Sequence, residues 1–262
     1  MGSIDTSAFE KFLIVQKNLS DTTVKYHIQN LGVFLKSVGK KNIESADIQD
    51  FMLEIKKTKT SWTYKNYLSL LRILFRDYLK QPELIEGFKF PRQIIKPNIL
   101  PSKGQLKIFF DSLPSLKYQI IFLMLASSGL RVSELLSADI DKSNRMLIPK
   151  SHNGQTKQAW ISFYNIEAEA LLKGYQSNSF ETSRNTVAHV FKDVSGKTGI
   201  NISAQTLRSV FAREMSRAGV QDRYVDAFCG RTPQSILARH YSDFSPEVLK
   251  EIYDKANLRY FG

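Results

Sequence analysis

Three arginines, a lysine and a late tyrosine are the residues of this sequence best suited to chemistry on phosphate. Arg131 lies in SSGLRVSELL, Arg208 in AQTLRSVFA and Arg231 in FCGRTPQ, while Tyr241 follows in LARHYSDF. Planar guanidinium groups grip phosphate oxygens in pairs, and a tyrosine hydroxyl can attack a phosphate and hold it covalently. With Lys157 on a predicted hairpin, the set predicts a phosphodiester-cleaving site built around a tyrosine nucleophile.

The order of these residues along the chain carries further information. GLRVSELL holds the first arginine, AQTLRSVFA the second, and FCGRTPQSILARHYSDF the third together with the tyrosine. One such arginine-containing segment (a box) would be weak evidence for a relationship to a known family. Three boxes in this order before a tyrosine are strong evidence for one. In these boxes the chain resembles the tyrosine recombinases (phage integrases, Cre and the Xer proteins), and most of all archaeal virus and plasmid integrases. The resemblance spans the whole second half of the chain. The first half agrees with the family in its size and in its predicted number of helices.

The resemblance implies a site-specific DNA recombinase, or integrase, that cleaves and rejoins strands through a 3′-phosphotyrosine on Tyr241. It also implies a general-acid lysine on the hairpin, for which Lys157 is favoured and Lys150 is the alternative. Gln205 stands where the second box usually has histidine; it can donate to phosphate but cannot shuttle a proton near pH 7. Arg231 stands where histidine or tryptophan is usual. The base that activates Tyr241 therefore stays open.

Composition limits the cofactors, partners and compartment. Arginine neutralisation of the phosphate and energy kept in the phosphotyrosine bond predict no metal and no nucleotide cofactor. The single cysteine, Cys229, excludes an intrachain disulfide. A net charge of +12, spread over both halves, suits a protein that wraps double-stranded DNA. Without a secretion signal or a long apolar run, we expect a cytoplasmic protein with no membrane partner.

Apolar spacing in the first half predicts four short helices that form a small bundle. One lies near Phe9, and others begin at Asp21, Ser45 and Ser61, with Ser20 or Asp21 as a plausible N-cap for the second.

A cluster of basic residues with interleaved hydroxyls occupies KKTKTSWTYK in this half. Hydroxyl and ammonium groups both donate to phosphate, although a solvated helix end has the same composition. The resemblance favours DNA contacts, because the family grips DNA with an N-terminal helical domain of this size. The predicted contacts are Lys56, Lys57, Lys59 and Lys65.

Three prolines in FPRQIIKPNILPSKG rule out a continuous helix and predict a linker. We place a helical DNA-clamp domain at 1–90, the linker at 91–103 and a catalytic domain at 104–262. The fold class is mainly α with a small antiparallel β-sheet. The resemblance identifies the parts as a SAM-like core-binding domain and a tyrosine-recombinase catalytic domain.

The second half is predicted to be mostly helical around one hairpin. A buried helix from Tyr118 to Ser127 breaks at Gly129, and Arg131 begins the next helix. Strands at 145–148 and 159–163 flank Asn153-Gly154, a strong turn signal. Further helices are expected at about 165–175, 183–196, 204–217, 220–229 and 233–239, with Ser203 as an N-cap.

Two other functions compete with a recombinase. A type IB topoisomerase-like enzyme would share the chemistry but relax supercoils as a monomer. Against it stands SPEVLKEIYDKA, whose apolar face (Val248, Leu249, Ile252 and Tyr253) resembles the segment that recombinases dock on a neighbouring protomer. This implies a homo-oligomer on DNA, a dimer on a site and a tetramer in synapsis. A non-catalytic DNA-binding relative is disfavoured by the complete set of arginines, lysine and tyrosine.

Overall fold

The computed structural model describes residues 4–39, 42–92, 99–150, 160–176, 179–231 and 242–261. The chain divides into two compact units, Met1–Pro97 and Asn98–Gly262. The proposed linker at 91–103 falls partly on residues outside the described ranges. That linker, and the independent folding of each part, stay predictions.

The first unit is a helical bundle whose starts follow local capping signals. Its helices are α1 (Thr6–Val15), α2 (Asp21–Val38), α3 (Ser45–Thr58) and α4 (Ser61–Arg72), and α4 continues as a π-helical turn over Ile73–Tyr78. A 3-10 turn follows at Pro82–Leu84. The side chains of Asp5 and Thr60 cap α1 and α4 by accepting from first-turn N–H groups. All three helices predicted from Asp21 onward begin at the predicted residue.

The bundle core is apolar and rich in aromatic rings. Phe34 contacts Phe51 edge-on with ring centroids 5.0 Å apart, and both side chains are buried. Buried leucines of α4 pack beneath them. His27 was not predicted inside this core, yet it is buried and its Nδ1 has no hydrogen-bond partner in the described structure.

The second unit is built around one helix that is apolar on every side. Its elements are α5 (Lys103–Asp111), α6 (Leu116–Ser128), α7 (Val132–Ser137), β1 (Asp139–Asp141), β2 (Met146–Ile148), β3 (Ser162–Phe163), α8 (Ile166–Lys173), α9 (Arg184–Thr198), α10 (Ala204–Arg217), α11 (Asp222–Phe228) and α12 (Pro246–Ala256). All side chains of α6 from Ile120 onward are buried, as expected of a central helix. α6 packs against α5, α8, α10 and β3.

A three-stranded antiparallel sheet in the order β1-β2-β3 flanks α6. The hairpin of β2 and β3 was predicted, whereas β1 was not. The sequence of β1 is Asp-Ile-Asp, and acidic residues are poor strand formers. Its strand conformation could therefore be recognised only from its pairing with β2. The overlooked signal is the turn, in which the Asp141 carboxylate accepts from the backbone of Ser143 and Asn144. The hydrogen bonds, led by the Ser143 hydroxyl, lower the pKa of Asp141 to about 2.

The apolar face of α12 lies on its own unit in the single chain, and its docking on a neighbouring protomer stays a prediction. Leu249 and Tyr253 are buried in the core of the second unit, and Ile252 packs against that core. Arg145 also pairs with Asp254 on α12, with 2.5 Å between Nη2 and Oδ1. The burial of this face therefore needs no second copy of the chain.

Candidate active site

A glycine at the end of α6 sets the position of the first arginine. Gly129 has a left-handed φ of 68° and closes α6. A Cβ at this position would lie 2.3 Å from the Phe211 ring on α10, so glycine is required both for its φ and for the close approach. Arg131 follows two residues later as the N-cap of α7. The core thereby holds the turn that presents Arg131.

Side chains from distant parts of the unit cap the last carbonyls of α6. Ser162 Oγ donates to the Ser128 carbonyl at 2.6 Å, and Arg208 Nη1 donates to that of Gly129 at 2.7 Å. The hydroxyl of Tyr253 donates to the Ser127 carbonyl at 2.8 Å, and that of Tyr260 donates to the Ala126 carbonyl. These carbonyls have no intrahelical partner. Three elements (β3, α10 and α12) and the segment after α12 thus converge on the turn before Arg131, and the sequence had not predicted these caps.

Glu134 links two of the predicted arginines. One carboxylate oxygen accepts from Arg131 Nη1 at 2.7 Å, and the other accepts from the Arg131 backbone N–H at 2.7 Å. Arg208 Nη1 lies 3.7 Å from the second oxygen. The Glu134 side chain is 7% exposed, so its charge acts with little solvent screening. Glu134 is therefore a shared ion-pair partner of Arg131 and Arg208.

Arg208 is an almost completely buried guanidinium, 3% exposed. Besides the Gly129 carbonyl it donates through Nη2 to the carbonyl of Cys229, so α6, α10 and the end of α11 meet at one side chain. Burial lowers the pKa of Arg208, and the charges of Arg131 and Arg231 lower it further while Glu134 opposes them. Arginine keeps its proton in proteins nevertheless. The result is a fixed positive charge in a low-dielectric setting.

Arg231 and Gln205 are more open to solvent. Arg231 follows α11 and pairs with Asp226, with 3.4 Å between Nη1 and Oδ1. The positive charge of Arg231 acts to lower the pKa of Arg208 and that of the buried Cys229 thiol. Gln205 is exposed in the first turn of α10, one turn before Arg208. The predicted N-cap of that helix is confirmed, because Ser203 Oγ accepts from Thr206 N–H at 3.1 Å.

The remaining predicted catalytic positions divide into one described and two undescribed residues. Lys150 pairs with Asp139, with 3.2 Å between Nζ and Oδ1, and both side chains are largely exposed. Lys157 and Tyr241 lie outside the described residues, as do Asn153-Gly154 and the helix expected at 233–239. Tyr253 and Tyr260, the other late tyrosines, are buried with their hydroxyls bonded to carbonyls. Burial raises the pKa of both hydroxyls well above the usual value, and this burial disfavours both tyrosines as the nucleophile.

The predicted DNA contacts of the first unit sit at the α3–α4 junction. Lys56, Lys57 and Lys59 are exposed and Lys65 is half-buried. Within the described ranges, no carboxylate lies within 4.0 Å of any of their ammonium groups. Across those ranges there is also no group of three His, Cys, Asp or Glu side chains suited to a metal ion. No helix there is long and apolar enough to cross a membrane.

Comparison with known proteins agrees with this two-part organisation. Residues 98–256 match the family described as archaeal phage integrase, and residues 7–81 match the phage integrase N-terminal SAM-like domain. The tyrosine recombinase XerA of Pyrococcus horikoshii is 26% identical in an alignment of 237 positions that covers 82% of this chain and 82% of that protein. The tyrosine recombinase XerC of Oceanobacillus iheyensis is 24% identical in an alignment of 301 positions, gaps included, that covers 99% of this chain and 97% of that protein.

Solved structures share the fold at low sequence identity. A lambda integrase dimer bound to a COC′ core site superposes with a TM-score of 0.68 at 13% identity, covering 92% of this chain and 95% of that one. The family matches and the named relatives identify the chain as a tyrosine-type site-specific DNA recombinase, and a topoisomerase is the less favoured alternative. The chain belongs to the archaeal phage integrase family, whose model covers more than half of its length.

Proposed function

We propose that this chain is a site-specific recombinase that breaks and rejoins double-stranded DNA through a 3′-phosphotyrosine on Tyr241. The observation that carries the proposal is the meeting of Arg131 and Arg208 at the buried Glu134, in a chain of the integrase family. The glycine turn and its caps hold both guanidinium groups in place before substrate arrives. Such preorganised charge stabilises a transition state at little cost of reorganisation.

The three arginines carry the electrostatic part of the reaction. Attack on a phosphodiester builds extra negative charge on the non-bridging oxygens, and guanidinium groups bind those oxygens as the charge develops. Arg131 is 39% exposed at its side chain and Arg231 is 44% exposed, so both remain accessible to DNA. Arg208, which is buried, contributes its fixed charge from below the surface. Gln205 is a further hydrogen-bond donor for the phosphate.

The proton transfers involve Tyr241 and Lys157 in this proposal. Tyr241 gives its proton to a base that the sequence leaves open and attacks the scissile phosphate, the bond to the 5′-oxygen breaks, and Lys157 donates the proton that makes this oxygen a hydroxyl. The hydroxyl of another strand then attacks the phosphotyrosine and releases the tyrosine, so the bond energy is kept without a nucleotide cofactor. The ion pair of Lys150 with Asp139 supports a structural role for Lys150 and leaves Lys157 as the candidate acid.

The assembly on DNA follows from the same proposal. We assign Lys56, Lys57, Lys59 and Lys65 to backbone contacts made by the first unit. One solved relative is a lambda integrase tetramer bound to a Holliday junction, with a TM-score of 0.70 at 14% identity, covering 91% of this chain and 78% of that one. By analogy, the chain would act as a dimer on a site and as a tetramer in synapsis, within the cytoplasm.

Covalent trapping tests the assignment of the nucleophile. DNA recovered from covalent complexes is sequenced to find the site, and a nicked suicide substrate is built on it. Tyr241→Phe is expected to bind this DNA like the unaltered protein and to form no adduct, whereas Tyr118→Phe serves as a control that still forms it. An adduct in Tyr241→Phe would refute the proposed nucleophile.

A sulfur-substituted substrate tests the general acid. Lys157→Ala should cleave ordinary DNA about 10²–10⁴ more slowly, because the 5′-oxygen then leaves without a proton. A 5′-bridging phosphorothiolate leaves without needing one, so this substrate should restore cleavage by Lys157→Ala. Arg131→Ala should stay slow on both substrates, since it stabilises charge. Rescue of Lys150→Ala in place of Lys157→Ala would move the acid to Lys150.

A further inference from the structure

The segment after the 3-10 turn of the first unit is tied to α4 by a single arginine. Arg72 Nη2 donates to the carbonyl of Phe88 at 2.6 Å. The same guanidinium lies over the Phe90 ring, with 4.4 Å from Cζ to the ring centroid, which is within cation–π range. Arg72 therefore holds the residues on both sides of Lys89. This contact was not predicted from the sequence, and Lys89 was not among the predicted DNA contacts.

Lys89 faces a cavity of about 270 Å³ in the first unit. Two of the predicted DNA-binding lysines, Lys56 and Lys59, line the same cavity, and none of the described residues that line it is acidic. The remaining lining residues supply hydroxyls, an aromatic ring and a proline: Thr60, Ser61, Tyr64, Phe90 and Pro91. Three ammonium groups beside hydroxyl donors are the composition of a phosphate site.

The backbone adds a favourable field on the same side. α4 begins at Ser61, which lines the cavity, and its first turn contains no acidic residue. The positive end of the helix dipole and the first-turn N–H groups favour an anion there. This field supplements the three lysines, which are the main observation.

Ordinary helix chemistry does not account for the cluster. Lys56 lies in the last turn of α3, where a cation offsets the negative end of the helix dipole. Lys59 is the residue that ends α3, and Lys89 lies in the segment that Arg72 holds, outside any helix. In the part of the chain that the structure describes, neither ammonium has a carboxylate within 4.0 Å. The lining of one cavity by these three lysines therefore makes the cavity suited to an anion that is not part of this unit.

We propose that this cavity binds one backbone phosphate of duplex DNA, with Lys89 as a direct contact and Arg72 as the residue that positions Lys89. The proposal rests on the proposed function in one respect, namely that DNA is the ligand. Arg72 donates its hydrogen bond to Phe88 and stacks on Phe90. It therefore affects DNA binding by positioning Lys89 and not by contacting DNA itself. Lys57 and Lys65 do not line the cavity and would contact other phosphates.

The salt dependence of DNA binding by the full-length protein tests the contact. Each neutralised phosphate contributes about 0.9 to the slope of log K against log salt. Lys89→Ala should therefore make the slope shallower by about 0.9 on a duplex of fixed sequence. Lys36→Ala removes an exposed lysine of α2 that does not line the cavity, and should leave the slope unchanged. Equal slopes for the two variants would overturn the assignment of Lys89.

A double-mutant cycle tests the positioning role. Arg72→Lys keeps the charge but loses the planar face and fork, so it should reduce the slope as Lys89→Ala does. Added to Lys89→Ala, it should cause no further loss. An additive loss would mean that Arg72 itself contacts DNA, which would refute the positioning role. Phe90→Leu, which removes only the stacking partner, should move the slope in the same direction and covers the case of a poorly folded Arg72→Lys.

Covalent trapping on the same proteins separates this inference from the proposed function. Adduct formation by the unaltered full-length protein tests the recombinase proposal independently of the slopes, because the proposed chemistry lies in the other unit. Normal adducts with unchanged slopes would refute the phosphate site and leave the recombinase proposal intact. Altered slopes in a protein that never forms an adduct would support the phosphate site and refute the recombinase proposal.

Discussion

Loss of the Tyr253 hydroxyl should lower the stability of the second unit and slow the reaction at the candidate active site. This hydroxyl donates to the carbonyl of Ser127 at 2.8 Å in a fully buried setting. Tyr253→Phe removes this oxygen and keeps the ring, which packs against Phe163 and Phe228 with centroid distances of 5.4 and 5.9 Å. The change therefore isolates one hydrogen bond to the end of α6, directly before the turn that presents Arg131.

The expected cost follows from the acceptor that is left behind. A buried carbonyl without its donor costs about 1–3 kcal/mol, so the free energy of unfolding of the second unit should fall by that amount. Tyr164→Phe is the matched control. Tyr164 is equally buried, and its hydroxyl has no hydrogen-bond partner in the described structure. Its removal should be neutral or stabilising, because an unpaired buried hydroxyl already carries a desolvation penalty.

Denaturant unfolding followed by tryptophan fluorescence measures both variants. The chain has two tryptophans, Trp62 in the first unit and Trp160 in the second, so a Trp62→Phe background reports on the second unit. Adduct formation is measured in parallel, and Tyr253→Phe should slow it while Tyr164→Phe does not. If the two substitutions changed stability equally, the α6 cap would not be what Tyr253 contributes.

Three further predictions concern the turn, the carboxylate and the first unit. Gly129→Ala should unfold the second unit. The control is Gly199→Ala, because Gly199 has a similar φ of 70° but nothing within 4 Å of an added Cβ. In the same denaturation assay, this control should lower the free energy of unfolding by only about 1–2 kcal/mol. Glu134→Ala should destabilise that unit by about 3–5 kcal/mol, because Arg208 keeps a buried charge without its partner, and Glu134→Gln should lose less; equal losses would contradict this. Burial lowers the pKa of His27 below 6.5, so the unfolded chain binds a proton more readily. The stability of the first unit is therefore full above pH 6.5 and declines as the pH falls below it, and a melting series should show that His27→Phe removes this decline.

Local sequence determined much of the fold and the identity of the arginine boxes. Helix starts at Asp21, Ser45 and Ser61 and the N-cap at Ser203 were predictable, because a cap depends on residues within one turn. The break at Gly129 was predictable for the same reason. The role of Tyr241 came from the boxes and that of Lys157 from the predicted hairpin, and both roles stay predictions for residues outside the described structure.

Tertiary structure decided which side chains meet. β1 forms only by pairing with β2, and Glu134 reaches Arg208 only because α10 packs against α6. The sequence showed that α12 has an apolar face that must be buried, but not against which surface. In the folded chain this face is buried against its own unit. The same holds for Lys89, which approaches Lys56 and Lys59 through the contacts of Arg72. Local propensities act within a turn, whereas these contacts join residues far apart in sequence, which come together only when the core is packed.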